Sequence, residues 1–213
     1  MTDRLQEIFS QIDECEVFAD VGCDHGYIAK AMLKSGKCKR AIVSDISAKC
    51  LQKAIDILSE EIAQNKAVAI VSDGFKNLPT CDLALIAGMG GEEIISILSN
   101  TPYYPQKLIL QPMKNLEKVR AFLVENGYKI TLDYVFLKNG KFYDLIKTEK
   151  GEDTLTQEEL EFGRTNLKER GSAFTKRLKE DINKLSLIAL DQRLGEESLL
   201  NIKKRIERLK DYV

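Results

Sequence analysis

No apolar run in these 213 residues approaches the roughly 20 needed to span a bilayer. The opening residues 1–14 are acidic and amphipathic, which fits neither a secretory signal nor a transit peptide. The five cysteines (Cys15, Cys23, Cys38, Cys50, Cys81) are odd in number and form no C-x-x-C pair, and there is a single histidine. That excludes a disulfide framework and a Cys/His zinc site, so no metal is expected. Reduced thiols in a cytoplasmic protein are the simplest reading. Internal repeats and low-complexity stretches are also missing. The length suits one core domain with a smaller appendage.

A net charge of −1 conceals an uneven distribution. Residues 164–213 hold 13 Lys/Arg and 8 Asp/Glu, against 19 and 25 in the rest, giving +5 and −6. An acidic body with a basic tail fits a polyanionic partner gripped partly by the tail. A solvated Lys-rich helical surface would look the same on charge alone.

The first 150 residues alternate short apolar runs with helical periods, as βα units around a parallel sheet do. An amphipathic opening helix carries Leu5, Ile8, Phe9 and Ile12 on one face. Strands are predicted at 17–21, 41–43, 68–71, 83–86 and 108–110, with helices at 28–33, 48–63 and 116–125 and another following Gly91. Runs at 130–137 and 142–148 flank Asn139-Gly140, a hairpin signal. Thr156-x-x-Glu159 reads as a capping box. Beyond Ser172, Phe174, Leu178, Ile182, Leu185 and Ala189 recur at helical spacing, and Leu199, Ile202, Ile206 and Leu209 resume it after Gly195. The prediction is an α/β Rossmann-like domain over 1–151 and an antiparallel, coiled-coil-like helical hairpin over 152–213.

In such a sheet ligands bind at the carboxyl ends of the strands. Strand one runs into Asp20-Val21-Gly22-Cys23-Asp24-His25-Gly26-Tyr27. Its glycines let the backbone approach a ligand, but the G-x-G-x-x-G of a dinucleotide site is lacking. Asp20 and Asp24 would repel a pyrophosphate and attract a ligand bearing an ammonium and a sulfonium, which favours S-adenosylmethionine over NAD. Asp45, with Ile46 after it, ends strand two, where an acid accepts from ribose hydroxyls; a helix N-cap is the plainer alternative. Asp73-Gly74 ends strand three, where the acid can accept from an adenine amino group; a plain D-G turn is its alternative. Strand four ends in Gly88-Met89-Gly90-Gly91, without the Asn/Asp-Pro-Pro-aromatic motif of many amino-directed methyltransferases. These glycines suggest close backbone approach or a tight packing turn.

Together with Ile86-Ala87-Gly88-Met89-Gly90-Gly91, Leu108-Ile109-Leu110-Gln111-Pro112 and Leu160-Glu161-Phe162-Gly163, the loop after strand one resembles the bacterial tRNA (adenine-N1)-methyltransferase family that modifies adenine at position 22. The resemblance runs from Arg4-Leu5 to the tail. It implies a class I methyltransferase fold with a C-terminal coiled-coil-like hairpin, S-adenosylmethionine as donor and tRNA as acceptor. Two positions depart from the pattern. Residues 46–50 lack an expected Lys-Gly-Pro, and Arg164 stands where proline is expected.

Adenine N1 has an in-plane lone pair, so methyl transfer needs positioning more than a base. The product is cationic, and Asp24 is the candidate to balance it, with Tyr27 and His25 shaping the pocket. The expected cofactor residues are Asp20, Gly22, Asp24, His25, Gly26, Asp45, Ile46, Asp73, Gly74, Gly88 and Met89. Arg4, Gln111, Lys114 and Asn115 are candidates for the base or a phosphate, and helix capping or surface charge is the alternative for each. Arg164, Lys168, Lys176, Arg177, Lys203, Lys204, Arg205 and Arg208 are candidates for tRNA phosphates. A monomer is expected. Competing readings are a methyltransferase of another RNA nitrogen or another substrate, a nicotinamide-dependent oxidoreductase, and a non-catalytic RNA-binding module.

Overall fold

A computed structural model describes residues 1–191 and 193–213. Its centre is a seven-stranded sheet of order β3-β2-β1-β4-β5-β7-β6. The strands are β1 (Cys15–Val21), β2 (Cys38–Asp45), β3 (Ala67–Val71), β4 (Leu83–Met89), β5 (Lys107–Pro112), β6 (Tyr128–Lys138) and β7 (Lys141–Lys150). β1 to β5 are parallel, and β7 joins β5 antiparallel as half of the β6–β7 hairpin. Strand order reverses between β1 and β4, which places a crevice at their carboxyl ends. Helices on both faces explain the near-continuous apolar runs of the central strands.

On one face α1 (Asp3–Ser10), α2 (Tyr27–Lys34) and α3 (Ala48–Ile57) bury Ile8, Ile28, Met32 and Leu51 against Phe18, Leu85 and Ile109. On the other, α5 (Gly91–Ser99) and α6 (Leu116–Glu125) bury Ile94, Leu98, Val119 and Leu123 against Ala19, Ile86, Leu108 and Leu110. Each of the larger side chains contributes about 1.5–3 kcal/mol when fully buried.

Three local predictions change. The helix expected over 48–63 breaks at Leu58 (φ −98°, ψ 14°), so that α4 (Ser59–Ala63) follows α3 separately. Leu58 is fully buried there, and the Lys30 ammonium donates to the Ile57 carbonyl beside the break. β4 runs on through Met89, with its register shift at Gly88 (φ +80°). After α7 (Gln157–Phe162), which begins with the Thr156/Glu159 capping box, Gly163 turns the chain at φ +86° into an unforeseen short helix, α8 (Arg164–Glu169). Arg164 occupies the first turn of α8, a position where proline is equally at home, which accounts for that departure from the family pattern.

α7 and α8 are fastened to β6. The buried Arg120 guanidinium pairs with both Asp133 oxygens at 2.6 and 3.0 Å and donates to the carbonyls of Leu160 and Glu161 at 2.7 and 3.0 Å. Thr165 and Asn166 accept from the β6 amides of Asp133 and Val135, which covers an otherwise open sheet edge. α9 (Ser172–Ile188) and α10 (Glu196–Lys210) pack together, with Leu209 late in α10 sharing a cluster with Phe174 and Leu178 early in α9. Leu187, Ile188, Leu190 and Leu200 at their far end are exposed. Among the described residues, no helix is long and apolar enough to cross a membrane.

Candidate active site

Asp20 stands at the carboxyl end of β1, at the reversal of strand order. Its carboxylate is buried and meets the Cys23 thiol, and no cation pairs with it among the described residues. Burial pushes its pKa up to about 6. The loop beyond is tied to β2, because the amides of Gly22 and Cys23 both donate to the Ser44 carbonyl at 2.8 Å. The Gly26 amide donates to Cys23 Sγ at 2.9 Å, and burial pushes that thiol up, so it stays protonated. Gly26 (φ +69°) then opens α2, and a Cβ on it would meet Leu58 and Ala54 at 3.1 and 3.2 Å. Gly22 (φ +74°) lies under the Met89 side chain, whose Cε occupies the space of any Cβ. Both positive φ angles favour glycine, and at Gly26 the packed Leu58 and Ala54 leave a Cβ little room.

Asp24 is more than half exposed, with His25 Nδ1 at 2.7 Å from one oxygen and Lys53 Nζ at 2.7 Å from the other. The Lys53 ammonium holds its carboxyl below the usual range. His25 in turn stacks on Tyr27, 5.3 Å between centroids and 7° between planes. Asp24 is thus a charge on the rim already paired with His25 and Lys53. Lys53 was not foreseen, because it reaches the site from α3 and not from a strand end.

A second basin lies beside the first. Asp45 accepts the Ser47 amide through one oxygen at 2.7 Å, while Ser47 itself caps α3. The helix-capping alternative accounts for half of this carboxylate and leaves its other oxygen open. Ile46 next to it is 71% exposed, an aliphatic surface facing this basin. Asp73 holds Lys76 at 2.6 Å in an exposed pair, and Gly74 (φ +60°) passes Ile97 of α5 so closely that a Cβ would come within 2.9 Å. Asp45, Ile46, Asp73, Gly74 and Met89 line a cavity of about 330 Å³. Asp20, Asp24, His25, Gly26 and Tyr27 line a neighbouring one of about 300 Å³, together with Arg4 and Leu5 of α1. Gly22 lines both, so the two form one elongated crevice. A larger hollow of about 700 Å³ borders the amino ends of β2 and β3 and contains no carboxylate, so it cannot serve the same chemistry.

The G-M-G-G segment divides between two roles. Gly88 faces the Arg4 guanidinium, whereas a Cβ on Gly91 would strike the Lys114 and Asn115 carbonyls at 2.5 and 2.9 Å. Gly91 is a packing glycine. Arg4 Nη1 donates to Oε1 of the fully buried Gln111 at 2.8 Å, so these two meet across 107 residues and are not stray surface charge. Lys114 lays its stem over Gly90 and is exposed, and Asn115 (φ 58°) precedes α6 without a side-chain cap.

In the tail the structure corrects four expectations. Arg164 pairs with Asp153 and Glu159, Arg177 with Asp144, and Arg205 and Arg208 with Glu161. Arg177 ties the tail to β7, and the other three brace the tail internally, so all four guanidiniums already hold carboxylates. Lys168, Lys176, Lys203 and Lys204 are exposed and make no ion pair among the described residues.

The donor set fits an adenosine that carries a cationic amino-acid end. One basin offers Asp45 and Asp73 as acceptors beside exposed Ile46, and the other offers an unpaired buried carboxylate. Residues 18–211 match the model of a family described as tRNA (adenine(22)-N(1))-methyltransferase. The Bacillus subtilis tRNA (adenine(22)-N(1))-methyltransferase is 24% identical over 235 aligned positions, covering 100% of this chain and 97% of its own. Mycoplasma capricolum TrmK, solved with S-adenosyl-homocysteine, superposes with a TM-score of 0.88 at 25% identity, covering 100% of this chain and 97% of that one. A Streptococcus pneumoniae chain solved with S-adenosyl-L-methionine gives 0.88 at 24% identity, over 100% and 99%.

Proposed function

The chain belongs to the tRNA (adenine(22)-N(1))-methyltransferase family and is an S-adenosylmethionine-dependent enzyme that methylates N1 of adenine 22 in tRNA; we propose that it does so in the crevice joined at Gly22. The observation that carries this assignment of the site is Asp20, a buried carboxylate with no cationic partner among the described residues, at the reversal of strand order.

S-adenosylmethionine supplies a methyl group on a positively charged sulfur. Asp20 and the glycines at 22 and 26 would receive its amino-acid end, Asp45 would accept from the ribose hydroxyls, and Asp73 would accept from the adenine amino group. Ile46 would pack against the adenosine, Gly74 and Met89 line the same basin, and Gly88 faces Arg4 beside the other. Asp73 must release Lys76, an exposed pair worth about 0–1 kcal/mol.

The nucleophile is a lone pair already present on adenine, so the residues position and do not deprotonate it. The target base must leave its stack, at a cost of a few kcal/mol. His25 and Tyr27 present a stacked aromatic edge at the mouth of the crevice, suited to that base. Asp24 contributes by orienting His25 and Lys53 there and by offsetting charge on the product. Gln111, fully buried, meets the crevice only through Arg4, and Lys114 and Asn115 follow it after β5. Residues 152–213 serve as the tRNA-gripping part, with Lys176 and Lys204 reaching phosphates and Arg164, Arg177 and Arg205 holding the tail in place. The enzyme acts as a cytoplasmic monomer.

Nucleoside mass spectrometry tests the site. tRNA lacking the modification, incubated with the protein and S-adenosylmethionine, gains 1-methyladenosine, and the Asp20→Ala and Asp45→Ala variants produce at least tenfold less. Undiminished methylation by both variants would show that the crevice is elsewhere.

A further inference from the structure

The adenine that accepts the methyl group carries its N6 amino group next to N1, on the same edge of the ring. A side chain that reads this amino group must be a hydrogen-bond acceptor near the point where N1 meets the donor. N6 offers hydrogens there, whereas the O6 of a guanine offers lone pairs. The polar side chains lining the 300 Å³ basin belong to Thr2, Arg4, Asp20, Asp24, His25 and Tyr27. Arg4 can only donate. Thr2 caps α1 by accepting from the Leu5 amide. Asp20 is buried beside the Cys23 thiol, and both Asp24 oxygens are occupied, one by Lys53 and one by His25. His25 and Tyr27 remain.

The neighbours of His25 make it an acceptor. Its Nδ1 lies 2.7 Å from Asp24 Oδ2. Two lone pairs cannot face each other at that distance, so the proton between them sits on Nδ1. Lys53, 2.7 Å from Asp24 Oδ1, holds the carboxyl below its usual range, and an ionised carboxylate can only accept. In the neutral ring the free lone pair then belongs to Nε2. Among the described residues no protein group donates to it. The ring cannot easily turn away, because Tyr27 stacks on it at 5.3 Å and 7°. Its side chain is still more than a third exposed. The backbone beneath is fixed as well, since the Gly22 and Cys23 amides are tied to the Ser44 carbonyl of β2.

We propose that His25 Nε2 accepts a hydrogen bond from the N6 amino group of the target adenine, so that His25 selects adenine and Asp24 and Lys53 are positioning residues that fix its tautomer. The proposal rests on the methyl-transfer reading of the crevice. It moves His25 from the cofactor side of the reaction to the acceptor side. As the N1 lone pair bonds to the methyl carbon, the carbon–sulfur bond breaks and sulfur keeps that electron pair. The positive charge passes to the adenine and spreads over N1, C6 and N6. N6–H becomes a stronger donor while its proton stays in place, and the contact with Nε2 strengthens in the transition state. A guanine in the same position would set O6 against the Nε2 lone pair and be rejected.

Single-turnover methyl transfer tests it, with tRNA transcripts carrying either adenine or unsubstituted purine at position 22. Purine keeps the N1 lone pair and lacks only the amino group. The wild type should methylate the adenine transcript about tenfold faster or more. His25→Phe, which keeps a flat ring beside Tyr27, should lose about 10–100-fold on adenine and less than about threefold on purine. His25→Gln can return an amide oxygen to the Nε2 position and should recover part of the loss on adenine. Asp24→Asn can donate to Nδ1 and drive the ring proton to Nε2, so it should also lose more on adenine than on purine. S-adenosylmethionine affinity by calorimetry should stay within about threefold in both His25 variants. Equal losses on the two transcripts would overturn the proposal in favour of a stacking role. Weakened S-adenosylmethionine binding would overturn it in favour of a donor contact. A wild type equally fast on both transcripts would show that the amino group is not read. If Tyr27→Phe narrows the preference and His25→Phe does not, the acceptor is Tyr27. A wild type that binds S-adenosylmethionine but methylates neither transcript would instead overturn the adenine reading of the crevice, and this contact with it.

Discussion

Two carboxylates are buried in this molecule under opposite conditions. Asp133, at the junction of body and tail, is met by both arms of Arg120, and the same guanidinium takes two carbonyls of α7. Asp20, at the crevice, is also buried and has a thiol for company. A buried ion that is paired and hydrogen-bonded is a structural part, whereas one left unpaired raises the energy of the free protein and becomes favourable only when a cation arrives. The tail junction repeats the first pattern with Arg177–Asp144 and the Glu161 pairs, and the crevice repeats the second with the open oxygen of Asp45.

The comparison breaks most sharply at Arg120. Arg120→Ala leaves Asp133 buried and alone, and should cost about 3–5 kcal/mol in chemical denaturation. Proteolysis should then nick the chain first around α7. A loss below 1 kcal/mol would mean that the pair holds nothing.

Asp20→Asn should do the reverse. It should lose about 100-fold or more in S-adenosylmethionine affinity by calorimetry while melting higher than the wild type at pH 7.5. The gain should be on the order of 1–3 kcal/mol, because the raised folded pKa means ionisation destabilises the native state as pH climbs from about 4 to about 6. At pH 4, where Asp20 is protonated in the native state, the two proteins should melt together. A variant destabilised equally at both pH values would make Asp20 a structural residue.

The same titration sharpens the contrast in the wild type. Donor affinity should rise as pH increases through about 6, as Asp20 ionises, and should level off above. That inflection should vanish in Asp20→Asn. The smallest effects belong to the exposed lysines. Lys176→Ala or Lys204→Ala should each weaken tRNA binding only a few-fold and flatten its log–log salt dependence by roughly 0.7–0.9. Arg177→Ala should act instead through stability, since Arg177 holds Asp144.

The crevice was legible because strand ends can be read from the chain. Apolar runs give way to Asp20, Asp45 and Asp73, and those acids do line two joined basins. α6 was predicted with its observed bounds, as the spacing of Leu116, Val119, Arg120 and Leu123 suggests, although its buried arginine was not anticipated. What could not be read was which charge meets which. Lys53 reaches Asp24 from 29 residues away, Arg208 reaches Glu161 from 47 and Arg4 reaches Gln111 from 107. A basic residue on a helix looks the same in the sequence whether it faces a carboxylate of the body or the solvent, so the tail arginines and lysines were grouped together. The break at Leu58 was hidden for a similar reason. Nothing in Asp56-Ile57-Leu58-Ser59 opposes a helix locally, and the Lys30 ammonium that meets Ile57 comes from α2.

The sequence by itself determined the alternation of strands and helices, the glycines that only a backbone passing at close range requires, and the acids at the strand ends, since each is a property of neighbouring residues. Only the tertiary structure decided that Asp20 has no cationic partner among the described residues, that Asp24 is held by Lys53, and that Arg164, Arg177, Arg205 and Arg208 hold carboxylates while Lys168, Lys176, Lys203 and Lys204 make no ion pair among the described residues. Such pairings depend on distances across the fold, and a charge's role follows from what lies opposite it more than from where it stands in the chain.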